Sequence, residues 1–173
     1  MSDGIVVDAN VMQGFTRSRI IETASDDRTV VELIAESHSF AIDVGGKMQN
    51  QWLETCGATY FGEWFFQNLR EGVIKPVAAK LHESHKKKLA IECGMPQKRE
   101  IFYVAVAVVT QKRYIVTRDM DFWEPKDKES DSGTREKIQL SRKGCVCRYL
   151  RKTLGVTVAT PSMARQELGP QNI

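Results

Sequence analysis

A chain of 173 residues, 42% apolar and 27% charged, carries enough material for one hydrophobic core and is not a disordered polypeptide. Its formal charge of +3 is too small to define a polyanion-binding surface by itself, so the placement of charge matters more than the total. No apolar run approaches the roughly 18 to 20 residues of a bilayer span, and the N-terminus lacks the basic-then-apolar order of a secretion signal. The expectation is a cytoplasmic protein with no membrane partner.

The elements follow in chain order. Residues 4–7 are apolar and mostly β-branched and end at Asp8, which predicts a buried strand delivering a carboxylate at its C-terminal end. Asn10 is placed to cap the next helix. Ser25 and Asp26 precede a helix over 27–36, with Val30, Val31, Leu33 and Ile34 at helical spacing. A second strand over 39–42 ends on Asp43, which is read as the cap of a helix over 47–56. Residues 60–69 continue as a helix whose aromatics belong to the core or to a subunit contact. Pro76 breaks it, and residues 77–93 resume as a helix that stops at Gly94 and Pro96. His82 and His85, followed by three lysines, have no partner at ligand spacing and are read as a solvated helix face.

Residues 100–110 present Ile101, Val104, Ala105, Val108 and Val109 on one helical face, and 114–116 form a short strand ending in Thr117. Residues 124–139 are nearly all charged or small and predict an exposed loop or insertion. A basic helix over 140–153 and a last strand over 156–159 close the chain. The four cysteines, Cys56, Cys93, Cys145 and Cys147, show no framework spacing, so neither zinc nor disulfides are expected. The alternation of strands and helices predicts one domain over 1–173 of the α/β class. It is a three-layer sandwich with a central, mostly parallel sheet flanked by helices, and ligands bind beyond the carboxyl ends of the strands.

Asp8 ends the first strand, and Asp119 and Asp121 follow the strand over 114–116, so the predicted sheet gathers negative charge at one end. Carboxylates meet most often around a hard divalent cation, since Mg2+ or Mn2+ takes oxygen ligands and leaves positions open for phosphate. The run Ile5-Val6-Val7-Asp8-Ala9-Asn10 resembles the opening strand of PIN-domain nucleases. More specific are Glu100 through Ala107 and then Ile115-Val116-Thr117-Arg118-Asp119-Met120-Asp121-Phe122, which look like the second half of that family, and the likeness extends from Gly4 to about Pro161.

The resemblance implies that Asp8, Glu100, Asp119 and Asp121 hold Mg2+ or Mn2+ and cleave single-stranded RNA to leave 5′-phosphate and 3′-hydroxyl ends. Asn10, Gln51, Glu54 and Thr117 would assist, while Arg118, Arg148 and Arg151 would contact the nucleic acid. It also allows a toxin or defence role, an antitoxin or other protein partner, and a homodimer. Two positions depart from the family pattern: Gln51 stands where a glutamate is usual, and Glu100 where aspartate is more common. An amide brings no charge, so the alternative is a catalytically weakened RNA- or protein-binding module, with Glu54 one turn on as a substitute acid. A receiver-like phosphoacceptor also places aspartates at strand ends, but the paired acids and late lysine that such domains resemble one another in are missing at the corresponding places.

Overall fold

Short runs of buried apolar residues become the strands, and the structure, a computed structural model, describes them within residues 3–57 and 59–170. The outermost residues of the expected 1–173 domain, 1–2 and 171–173, lie outside the described residues. The strands are β1 (Val6–Val7), β2 (Phe40–Asp43), β3 (Ile74–Val77), β4 (Tyr114–Val116) and β5 (Thr157–Ala159). β4 pairs in parallel with β1 and with β5, and β2 pairs in parallel with β3. A parallel bridge between Ile5 and Phe40 joins the two groups. There Ile5 N–H donates to the Ser39 carbonyl at 2.8 Å and Ala41 N–H to the Ile5 carbonyl at 3.0 Å. The resulting order is β3-β2-β1-β4-β5. Ile5, Val6, Val7, Ile115 and Val116 are fully buried, which explains why these strands read as continuous apolar runs rather than as alternating ones.

The helices are α1 (Ala9–Ile20), α2 (Asp26–Ser37), α3 (Lys47–Cys56), α4 (Thr59–Arg70), α5 (Glu83–Cys93), α6 (Glu100–Val108), α7 (Ser132–Ser141), α8 (Cys145–Leu154) and α9 (Pro161–Leu168). α1, α2, α3 and α9 form one packed group, while α6 lies across β1, β2 and β4 and is continued by α8 on β5 and α5 on α8. The protein is therefore an α/β fold with a small parallel sheet flanked by helices, as its sequence predicts. Ser25 caps α2 by accepting from Arg28 N–H at 3.0 Å. Asp43 serves α3, accepting from Lys47 N–H at 3.1 Å and Met48 N–H at 2.8 Å. The aromatics of α4 are largely core: Phe61 and Phe65 are buried, Trp64 packs on Phe15, Phe40 and Phe61, and Phe66 remains 42% exposed.

Several local expectations are corrected. Residues 74–77 form a strand, which Pro76 had concealed. β3 is an edge strand paired on one side only, and a proline is tolerated where its missing N–H would face outward. α5 therefore begins at Glu83 rather than at residue 77. The charged segment 124–139 is not a plain loop: it holds a 3₁₀ turn over Pro125–Asp127 and most of α7, whose N-terminus is capped by Asp131 accepting from Thr134 N–H at 2.9 Å. α7 buries no residue, so it offers no apolar period to read. The basic helix starts at Cys145, because Leu140 and Ser141 belong to α7 and Arg142 turns the chain at φ 52°. Gly144 then passes so close to Trp123 that a Cβ would lie 2.2 Å from its carbonyl oxygen, which caps α8 by accepting from Val146 N–H at 3.0 Å. Asn10 does not cap α1; it lies inside the helix, and Asp8 is the flanking residue.

The cysteine expectation is also overturned. Cys93 at the end of α5 and Cys145 at the start of α8 form a disulfide, with Cα atoms 5.4 Å apart across 52 positions of sequence. Spacing alone did not show it because the proximity is made by the packing of α5 on α8. Closing a loop of this length stabilises a folded chain by roughly 2–4 kcal/mol, largely through the unfolded state. Denaturant unfolding with and without a thiol reductant is expected to show a loss of that size on reduction, and none in Cys93→Ser/Cys145→Ser.

Candidate metal centre

The order of the sheet fixes where a site forms. From β1 the chain builds outward through β2 and β3, then returns to place β4 on the other side of β1, so the connections leaving β1 and β4 diverge and open a crevice between them. Asp8 leaves β1 and Thr117, Asp119 and Asp121 leave β4, so both acidic segments emerge at that crevice. Asp8 N–H donates to the Val116 carbonyl at 2.9 Å, and Trp52 Nε1–H on α3 donates to the Val7 carbonyl at 3.0 Å, holding the end of β1 from two sides.

Thr117, fully buried, joins the two segments. Its hydroxyl donates to Asp8 Oδ2 at 2.7 Å and accepts from Asp119 N–H at 2.9 Å. Asp119 Oδ1 in turn accepts from Asp121 N–H at 3.0 Å, capping the 3₁₀ turn over Met120–Phe122 that presents Asp121 inward. Glu100 arrives from the opposite helix, in the first turn of α6. Carboxylate oxygens of Glu100, Asp119 and Asp121 lie within 4.8 Å of one another. Asp8 and Asn10 border the same recess, a hollow of about 140 Å³ that also touches Glu100 and Asp119. This cluster can hold a metal ion, since its donors are all oxygen and partly withdrawn from solvent.

The electrostatics are those of acids short of positive charge. Burial, and then the charge of Asp119, push Asp8 up to about 6, against the Thr117 hydrogen bond, which lowers it. Burial raises Asp119 as well, helped by the charges of Asp121 and Glu100 and opposed by Lys128. Lys128 supplies a counter-charge: its Nζ stands 2.8 Å from Asp121 Oδ2 and 3.9 Å from Asp119 Oδ1. The hydrogen bond to Asp121 and the surrounding acids hold that ammonium above its ordinary range. Tyr103, buried on α6, is also raised, by burial first and by Asp8 second.

The remaining expected residues fall in three places. Gln51 borders the recess, but its Oε1 accepts the Tyr103 hydroxyl at 2.5 Å. Glu54 is exposed and lines a neighbouring hollow instead. Arg118 is ion-paired with Asp27 of α2. Arg148 lines a separate hollow beside the Cys93–Cys145 disulfide, and Arg151 is exposed on the same helix, α8. Sequence reasoning missed Lys128, which folds back from a segment without periodicity, and Tyr103, although its position three residues after Glu100 was a legible signal. No protein-family model, curated protein or solved structure matches the chain. No helix among the described residues is long and apolar enough to cross a membrane.

Two outcomes follow from the charge balance. Asp8 has a folded pKa of about 6 against 3.8 for the free group, so the folded state binds the proton more tightly and stability falls as pH rises between those values. The difference amounts to about 3 kcal/mol against folding above pH 6. In metal-free buffer Asp8→Asn is expected to be more stable than the parent at pH 7.5, with the gap closing as the pH falls to about 4; a gap independent of pH would contradict this. Lys128→Met removes the cation that faces Asp121 and Asp119, so its melting temperature in chelator should drop, and the rise produced by adding divalent metal should exceed that of the parent.

Proposed function

We propose that this protein is a metal-dependent nuclease of the PIN type that hydrolyses phosphodiester bonds of single-stranded RNA, using Mg2+ or Mn2+. The observation that carries the reading is the convergence of Glu100, Asp119 and Asp121 within 4.8 Å at the crevice between β1 and β4, with Asp8 on the same recess. Carboxylates are buried there, and secondarily crowded together, at a cost in stability, as the raised Asp8 and Asp119 indicate, and a bound cation would recover that cost. The donor set fits a hard divalent ion: carboxylates alone, from the start of α6 and the turn after β4, with no sulfur or imidazole donor among them. Bound there, such an ion would neutralise phosphate charge and lower the pKa of an attacking water.

The chain's own residues define the remaining roles. Thr117 fixes the Asp8 carboxylate and the Asp119 backbone in register, so these two acids keep their spacing whether or not a ligand is present. Asp8, with a pKa of about 6, is ionised at neutral pH and protonated only in mildly acidic solution. Activity should therefore fall below about pH 6 as Asp8 loses its charge, although bound metal would move that limit downward. Lys128 occupies part of the acidic cluster from solvent, where its ammonium is free to exchange toward a phosphate oxygen.

A second reading has an observation of its own. Gln51 commits its oxygen to Tyr103, and Lys128 neutralises Asp121, so the site could serve as a nucleic-acid-binding module with little turnover. Incubating the protein with labelled single-stranded RNA in Mg2+, in Mn2+ and in chelator separates the two. Metal-dependent cutting that drops at least about a hundredfold in Asp119→Asn is the expected result. Binding without cutting in either metal would favour the module, and a gain of cutting in Gln51→Glu would identify the amide as the cause.

A further inference from the structure

Beside the acidic recess lies a second hollow, of about 280 Å³, between α3 and α6. Its floor is apolar and buried, formed by Met48 and the ring of Tyr103. Phe102 offers a partly exposed aromatic face, and two exposed cations, Lys47 and Arg99, stand at its margin. Gln51, Arg99 and Tyr103 belong to both hollows, so the two adjoin. We propose that this hollow is a nucleoside subsite: it takes the base of the nucleotide adjoining the phosphate that enters the acidic recess, stacked on Phe102, with Arg99 and Lys47 meeting the flanking phosphates.

Three features favour this occupant. First, Gln51 Oε1 already accepts from Tyr103, and its amide nitrogen has no hydrogen-bond partner among the described residues. A glutamine held by its oxygen presents a donor, which suits a base carbonyl or a phosphate oxygen and does not suit a cation. The departure from glutamate at this position thereby acquires a positive role. Second, Lys47 Nζ sits 3.7 Å from the centroid of the Phe102 ring. A cation–π contact at an exposed edge is weaker than the stacking of a base on the same face, so a base displaces the ammonium and leaves it beside the strand's phosphates. Third, cations flank the hollow: Lys47 and Arg99 stand at its margin against the carboxylate of Glu54, and Arg99 also borders the acidic recess, so a strand's phosphates meet a net positive margin beside the metal centre. The inference rests on the phosphodiesterase reading of the recess, but binding in the hollow needs no metal, which lets the two be tested apart.

The test is equilibrium binding of the full chain in chelator, read by fluorescence anisotropy, to a labelled six-nucleotide riboadenylate and to an abasic strand of the same length and charge. The riboadenylate is expected to bind about tenfold or more tightly than the abasic strand. Phe102→Leu, which keeps an apolar side chain but removes the ring, should abolish most of that difference, and Phe102→Tyr should retain it. Arg99→Gln should weaken both strands alike, because it removes charge and not stacking. Equal affinity for the two strands, or a difference that survives in a folded Phe102→Leu protein, would overturn the subsite. Base-dependent binding in a protein that cuts nothing under any metal would leave the subsite standing and count against the nuclease reading alone.

Discussion

A single buried hydroxyl organises this protein's acidic end. Thr117 donates to Asp8 and accepts from the backbone of Asp119, so the terminus of one strand is indexed to the terminus of its neighbour by hydrogen bonds rather than by loop geometry. Removing such a group leaves a buried carboxylate short of a donor, at a cost of about 1–3 kcal/mol. Everything downstream inherits the arrangement: Asp119 caps the turn that carries Asp121, and the Trp123 carbonyl just beyond it caps α8. The site is thus wired into the helical layer behind it.

The sheet explains how much of this was legible. β1, β2 and β4 are short apolar runs that end in or just before aspartates, and burial on both faces keeps them apolar throughout, so both fold class and acidic ends could be read directly. Glu100 at the start of α6 was legible for the same reason, as a charge opening an otherwise apolar helix. β3 was not, because Lys75 and Pro76 interrupt its pattern and only its place at the sheet edge permits them. Lys128 and the Cys93–Cys145 bond depend on which distant segments fold against each other, and no local period encodes that. Gln51 was visible as a departure from a pattern, but its bond to Tyr103 is a property of two helices and not of one.

The site is also where the protein is least consistent with its own stability. Asp8 and Asp119 would both be easier to bury uncharged, and their positions are kept because the surrounding bonds over-determine them. The compensating lysine comes from a segment of different character. α7 has no fully buried residue and rests on the core through the partly buried Ile138, and the residues before it are held mainly by short-range polar contacts such as Ser130 Oγ–H donating to Asp127 at 3.0 Å. A segment with so little apolar burial opens at low cost compared with the strands beneath it. The fold therefore sets a counter-charge from a peripheral, polar segment over acids anchored at the sheet.

Pro76 has a consequence for how copies of this chain can meet. An open parallel edge is ordinarily a template on which another chain can add a strand, since its outward N–H and C=O groups stand ready in a row. At β3 that row is broken in the middle of a strand running Ile74–Val77, because the proline has no hydrogen to offer. A second copy laid along this edge would leave a carbonyl unanswered at its centre. The sheet is finished at that side, so a strand added by another chain would have to meet the opposite edge, β5.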